Sequence, residues 1–226
     1  MSYYYNDYNG RPGFLSMLTP VVKNLVIINV ILMIGTTIIG EPMYEKFSLF
    51  PFESPLFHPY QLVTHMFMHG GFWHIFFNMY TLMIFGVALE RVWGSGKFLL
   101  FYMVTGLGAA LCHNFTIHLQ VADLLAAQDN MFAVARILRT PTVGASGAIY
   151  GVLLGYGMLY PNSILQLIFP PVALKAKWFV VIFAAIELLT GLLNTSDGIA
   201  HFAHLGGMLF GLILILIWKK DNRLYN

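Results

Sequence analysis

The amino-acid sequence predicts an all-α membrane protein with six transmembrane helices, and three observations support this fold class. Apolar residues make up 58% of the 226 residues and charged residues only 10%, whereas soluble domains carry about 25% charged residues. A chain of this length cannot bury so much apolar surface in a water-soluble core. The apolar residues gather into six segments, and Lys and Arg concentrate in alternate connections. The net charge of +2 is small and scattered, so nucleic acid is not an expected partner.

The six apolar segments have lengths typical of helices in a bilayer. They run over residues 21–39, 72–89, 98–118, 146–160, 178–193 and 199–218. A helix needs roughly 17–25 residues to span the bilayer, and four of the segments fall in that range. The fourth and fifth are shorter, so we expect a short central fourth helix. The segments define one domain over residues 21–219, with tails at 1–20 and 220–226.

The distribution of Lys and Arg predicts the orientation of these spans. Six spans place both termini on one side of the membrane, which then holds nine Lys and Arg residues against three on the other side. Positive residues accumulate on the cytoplasmic side, and Trp residues mark the membrane interfaces. Trp93, Trp178 and Trp218 fall at the helix ends on the positive side. Both termini are therefore predicted to be cytoplasmic, in a multi-pass protein of a cell membrane.

Two long loops lie on the opposite, outer side. The first, residues 40–71, contains four prolines among several aromatic residues. Proline excludes a long helix, and the aromatic residues indicate a loop that dips into the membrane interface. The second, residues 119–144, begins with an amphipathic stretch in which Val121 and Leu124 alternate with Asp123. It forms either an interfacial helix or a plain connector.

Ser146 begins the fourth segment in the motif Gly144-Ala145-Ser146-Gly147. The 15 residues to Tyr160 rise about 22 Å as a helix, less than the hydrocarbon thickness of about 30 Å. Ser146 should therefore lie below the outer surface, where the unpaired N–H groups and dipole of a helix start favour developing negative charge. The alternative is that Ser146 only caps the helix.

His204 in the sixth segment is the candidate partner of this serine. It shares one helix face with Gly207 and Gly211, and a similar stripe of glycines starts at Gly147 in the fourth segment. Small residues at this spacing let membrane helices approach closely. The packed stripes would bring His204 to Ser146, and a nearby histidine is what a serine hydroxyl needs to lose its proton. Generic glycine packing is the alternative.

His74 and Asn78 lie four residues apart near the outer end of the second segment. Together with the Ser146 N–H they could hold the oxyanion of a tetrahedral intermediate. Polar contacts between helices are the alternative. A metal site at His65 and His69 also stays open, because this spacing can place two imidazoles on one side of a helix.

Three motifs in order resemble the signature of the rhomboid intramembrane proteases. They are His65-x3-His69-x4-His74-x3-Asn78, Gly144-x-Ser146-Gly147 and Ala203-His204-x2-Gly207-x3-Gly211, and the similarity runs from about residue 59 to residue 220. The resemblance implies a rhomboid-like bundle without a cofactor that cuts transmembrane protein substrates in the lipid bilayer, and a bacterial inner membrane is expected.

The resemblance also implies roles for the site residues. Ser146 would be the nucleophile and His204 the general base, without a third carboxylate. His74 and Asn78 would belong to the oxyanion site, and Tyr150 would pack against the catalytic ring. One departure is Leu62-Val63, which stands where many rhomboids carry a Trp-Arg pair that anchors the first outer loop.

Glu187 in the fifth segment is not explained by these motifs. A carboxylate within a membrane is a functional candidate by default, but a protonated group, or one paired with a backbone or hydroxyl group, is the favoured interpretation. Two other functions stay open. One is a transporter that uses the buried histidines and Glu187 as a relay, and the other is an inactive rhomboid-like protein that binds membrane clients.

Overall fold

A computed structural model describes residues 13, 16–127, 130–167, 171–193, 200–222 and 224. The described part is an α-helical bundle with one small hairpin. Its helices are α1 (Pro20–Ile39), α2 (Glu41–Phe47), α3 (Gln61–Thr64), α4 (Phe72–Trp93), α5 (Ser95–Ala126), α6 (Met131–Leu138), α7 (Ser146–Leu159), α8 (Ala176–Leu192) and α9 (His201–Lys220). Strands β1 (Ile164–Gln166) and β2 (Ala173–Lys175) pair antiparallel between α7 and α8.

Each of the six predicted segments forms a helix, and the all-α membrane fold is confirmed. Four helices, α1, α4, α5 and α9, are long and apolar enough to cross a membrane. The fourth and fifth predicted segments form α7, with 14 residues, and α8, with 17. The helix of the fourth segment is therefore the shortest of the six, as expected. That α7 and α8 also cross the membrane stays a prediction. The chain direction places the start of α7 and the start of α9 at the end of the bundle opposite the start of α1 and the end of α9.

The helix α4 is regular at both ends but contains a π-helical stretch at Leu82–Gly86. Near its end, the Glu90 side chain accepts hydrogen bonds from the first turn of α1, at 2.9 Å from the Val21 N–H and 3.0 Å from the Val22 N–H. Pro20 occupies the first turn and has no N–H to satisfy. Glu90 therefore caps α1 and joins the first two long helices at the end of the bundle where α1 begins.

The first outer loop contains only short helical pieces, in agreement with its prolines. The buried Gln61 side chain holds it together, accepting the His58 N–H at 3.1 Å and donating to the Leu56 carbonyl at 3.0 Å. The Thr64 hydroxyl also donates to the Phe47 carbonyl at 2.8 Å. These hydrogen bonds anchor the loop beside Leu62-Val63. They do so without the Trp-Arg pair that many rhomboids carry at this place.

The second outer loop begins later than predicted. The amphipathic stretch at Val121 and Leu124 is the last part of α5, which continues to Ala126, because no proline or glycine interrupts residues 109–126. A separate short helix, α6, follows. The chain then returns to the first loop, where Leu49 and Thr142 exchange backbone hydrogen bonds of 2.9 and 2.8 Å. The two outer loops are thereby joined directly before Ser146.

Candidate active site

The site forms where α7 crosses α9. A Cβ added at Gly207 would lie 1.9 Å from the Gly147 carbonyl oxygen, and one added at Gly211 would lie 3.5 Å from the Gly151 Cα. The distance at Gly207 leaves no room for a side chain, and the distance at Gly211 is ordinary van der Waals contact, so the two backbones touch. The glycine stripes of the fourth and sixth segments pack together, as their spacing predicts.

This crossing brings Ser146 and His204 within hydrogen-bond distance. The Ser146 Oγ lies 2.9 Å from Nε2 of His204, and the histidine is 7% exposed. The residue in the capping position of α7 is Ala145, which makes no side-chain capping bond. Ser146 is thus the first residue of the helix instead of its cap, and its hydroxyl is directed to a base. A serine paired in this way with an imidazole is the arrangement of an activated nucleophile.

The ring of Tyr150 stacks on the ring of His204. Their centroids are 4.1 Å apart and their planes differ by 6°. Tyr150 lies one turn after Ser146 on α7, so one helix supplies both the serine and the surface on which the imidazole rests. The stacking restricts tilting of the imidazole.

Glu187 on α8 is closer to the site than the sequence indicates. It accepts a hydrogen bond from the Tyr150 hydroxyl, which agrees with the expected pairing to a hydroxyl group. It also lies beside two imidazoles, with Oε2 2.6 Å from Nδ1 of His201 and Oε1 3.0 Å from Nδ1 of His204. The structure thus places a carboxylate beside Ser146 and His204, whereas the resemblance implies a pair without one; the catalytic pair itself stays a prediction.

A cavity of about 680 Å³ opens next to the serine. Ser146, His204 and His74 line it, together with residues of both outer loops. A Cβ on Gly144 would lie 2.8 Å from the His74 ring and 3.6 Å from the Ser146 hydroxyl, so the three groups are close neighbours. Asn78 lies one turn deeper on α4, is 6% exposed, and is not among the residues that line the cavity.

His65 and His69 do not share a helix face. His65 lies in a single 3-10 turn that ends at Phe67, and Met68 has extended backbone angles. Burial lowers the pKa of His65 to about 4 and that of His69 to about 3, so both rings are neutral at physiological pH. No group of three or more His, Cys, Asp or Glu side chains suited to a metal occurs in the described ranges.

Two other histidines near the site were not singled out from the sequence. His113 on α5 lines the cavity, and its Nε2 lies 2.8 Å from the Thr142 hydroxyl. His201, one turn before His204, contacts Glu187. The signal for His201 is its spacing, because residues three apart on a helix face the same neighbour. The sequence offers no comparable signal for His113.

The chain resembles known proteins over the part that contains this site. Residues 57–220 match the sequence model of the Rhomboid domain family. The rhomboid protease AarA of Providencia stuartii is 27% identical over 160 residues, or 68% of this chain and 53% of that protein. The putative rhomboid protease YdcA of Bacillus subtilis is 27% identical over 168 residues, or 73% of this chain and 70% of that protein.

A plant relative gives a similar alignment. The mitochondrial RHOMBOID-like protein 6 of Arabidopsis thaliana is 28% identical over 165 residues, or 72% of this chain and 45% of that protein. The chain thus spans about half the length of the AarA protease and of the plant protein. The similarity reaches the helices that carry Ser146, Glu187 and His204.

Proposed function

The chain belongs to the rhomboid family, and we propose that it is an intramembrane serine endopeptidase that cuts transmembrane segments of client proteins. The observation that carries the proposal is the 2.9 Å separation of the Ser146 hydroxyl and the His204 imidazole at a buried helix crossing. A buried ionisable ring costs free energy in a membrane and is rarely retained without a role. The relatives that are named as proteases support the same activity.

The proposed reaction follows serine protease chemistry. His204 accepts the Ser146 proton at Nε2 as Oγ attacks the client carbonyl carbon, and later gives that proton to the leaving amine. The N–H groups at the start of α7 stabilise the oxyanion. His74 assists from the cavity wall, and Asn78 assists after a small approach that substrate binding induces. Water then hydrolyses the acyl-enzyme and regenerates the serine.

The position of the site determines which clients are cut. With the termini in the cytoplasm, Ser146 lies in the outer leaflet of a cell membrane, a bacterial inner membrane being the expected one. A client helix hides its carbonyls in hydrogen bonds and has to unwind before one reaches Ser146. Poor helix formers in the outer part of the client segment lower this cost, and a small residue is expected before the cut bond.

The test uses purified protein in proteoliposomes with single-span substrates. Glycine or proline is placed at the outer end, the centre or the inner end of the span, and mass spectrometry identifies the products. We expect cleavage in the outer part of the span, fastest with an outer helix breaker. Cleavage near the cytoplasmic end would contradict the orientation and depth of Ser146.

A client-binding protein without catalysis is distinguished by the same preparation. A fluorophosphonate labels an activated serine irrespective of client preference, so the proposal requires labelling at Ser146. Absence of both labelling and cleavage, with the substrate still bound, would replace the protease by a client-binding protein. Ion flux into the same proteoliposomes would instead favour a transporter.

A further inference from the structure

The imidazole of His204 lies between a hydroxyl and a carboxylate. Its Nε2 is 2.9 Å from the Ser146 Oγ, and its Nδ1 is 3.0 Å from Oε1 of Glu187. The contact with Glu187 has an ion-pair distance but lacks the alignment of a hydrogen bond. The order serine, imidazole, carboxylate is that of a catalytic triad.

The Glu187 carboxylate is held in place from several helices. Tyr150 on α7 donates its hydroxyl hydrogen to Oε1, and His201 on α9 lies 2.6 Å from Oε2. Thr190, one turn along α8, lies 3.0 Å from the same Nδ1 of His201. Glu187 is only 6% exposed, so three helices hold its orientation relative to His204.

A carboxylate at Nδ1 determines which ring nitrogen of His204 carries the proton. Nε2 can accept the Ser146 proton only when it has none, and the neutral ring then has its proton on Nδ1. A carboxylate 3.0 Å from Nδ1 attracts the proton on that nitrogen electrostatically and so favours this tautomer. It also stabilises the imidazolium that forms when the proton leaves Ser146. Stacking on Tyr150 restrains the ring plane but does not select between its two nitrogens.

We propose that Glu187 is a positioning residue for His204, so that this chain works with a serine, a histidine and a glutamate inside the membrane. The inference rests on the proposed function. As the bond between Ser146 Oγ and the carbonyl carbon forms, the Oγ proton moves to Nε2. It passes to the leaving nitrogen when the carbon–nitrogen bond breaks. The proton on Nδ1 stays there, and Glu187 remains ionised throughout.

Glu187→Gln in the full chain tests this proposal, because the amide keeps the shape but can present N–H to Nδ1 and favour the wrong tautomer. We expect kcat to fall by about a hundred- to ten-thousandfold with KM unchanged, since a comparable change in soluble triads lowers kcat about ten-thousandfold. The rate of Ser146 labelling by a fluorophosphonate should fall in parallel. If the Glu187 carboxylate were purely structural, its loss would lower the thermal unfolding temperature. The kcat and the labelling rate of the folded fraction would then stay unchanged.

Two variants control this comparison. Glu90→Gln removes the charge of another buried carboxylate that contacts no histidine in the described part of the chain, so its folded fraction should keep the parent's kcat. Tyr150→Phe keeps the ring that stacks on His204 but removes the donor to Glu187. It should lower kcat less than Glu187→Gln does.

The outcomes separate this inference from the proposed function. A parent protein that neither cleaves nor labels contradicts the protease proposal itself. An active parent whose Glu187→Gln variant keeps its kcat and labelling rate contradicts only the role of Glu187. If Glu187→Gln does not fold, Glu187→Asp decides, because it keeps the charge but withdraws it from Nδ1 by about one bond length of 1.5 Å. It should fold with a lower kcat, and an Asp variant with the parent's kcat overturns the inference.

Discussion

Two buried carboxylates lie at opposite ends of the bundle and have different surroundings. Glu90 is 3% exposed and accepts from the Val21 and Val22 N–H groups and from the Ser95 hydroxyl. Glu187 is 6% exposed and faces the imidazoles of His201 and His204. Backbone N–H groups cannot change their charge, whereas an imidazole can. Burial alone therefore does not identify a functional carboxylate in a membrane protein; the nature of its partners does.

The largest effect should come from Ser146, at the end of the bundle where α7 and α9 begin. Ser146→Ala should lower turnover about a millionfold, as removal of the nucleophile does in soluble serine proteases. The unfolding temperature should change little, because only one oxygen is lost. Cleavage of the single-span substrate and fluorophosphonate labelling measure the effect.

Ser163→Ala is the matched control for this change. Ser163 follows α7, and its exposed hydroxyl donates to the Tyr160 carbonyl at 2.9 Å. This variant should cut as fast as the parent. Equal turnover in Ser146→Ala and the parent would contradict the role of Ser146 as nucleophile. The functional contrast between Glu90 and Glu187 would then be lost as well.

A smaller loss is expected from the two donors on α4. His74→Ala and Asn78→Ala should each lower kcat by about a hundred- to thousandfold, the usual cost of one oxyanion donor. The double variant should lose less than the product of the two factors, because both donors stabilise one oxygen. Steady-state kinetics of the three variants measure this coupling.

Asn29→Ala provides the comparison for Asn78→Ala. Asn29 is a buried amide on α1 whose Nδ2 donates to the Leu25 carbonyl at 2.7 Å. Its loss should affect stability without lowering kcat. If His74→Ala and Asn78→Ala behave like Asn29→Ala, both side chains serve contacts between helices.

The smallest change in turnover should come from Glu90. Glu90→Gln places an amide against backbone N–H donors and should destabilise the fold by about 1–3 kcal/mol. Because Glu90 contacts no part of the candidate site, kcat of the folded fraction should equal the parent's. Thermal unfolding followed together with cleavage separates the two quantities. A large loss of kcat at full folding would show that the two ends of the bundle are coupled.

Much of the bundle could be predicted because apolar length and glycine spacing report local physics. A run of apolar residues long enough for a bilayer forms a helix whatever its neighbours. Gly147 and Gly207 predict a close helix crossing, and His204 lies on the same helix as Gly207, so the crossing also determines its position. These signals all lie within single segments.

The contacts of Glu187 could not be predicted in the same way. They depend on the rotation of α8 against α7 and α9, which the pattern of apolar residues leaves undetermined when a helix is apolar on most of its surface. The capping of α1 by Glu90 is similar, because Glu90 lies 69 positions from Val21 and 68 positions from Val22 in the chain. The extension of α5 to Ala126 differs from the loop predicted from residue 119, because an amphipathic stretch is equally compatible with the end of a long helix.

The contact between the Gly147 and Gly207 backbones fixes how close Ser146 and His204 lie to each other. The spacing of α7 and α9 depends on main chain against main chain, so Ser146 and His204 are aligned before any client enters. In the proposed protease the Ser146–His204 pair is therefore preorganised, and a client has to induce only the approach of Asn78. Under the proposed function, discrimination among clients takes place while their helices unwind and enter the cavity. Small electrophiles that need no unwinding should react with Ser146 irrespective of which membrane segments the protein prefers.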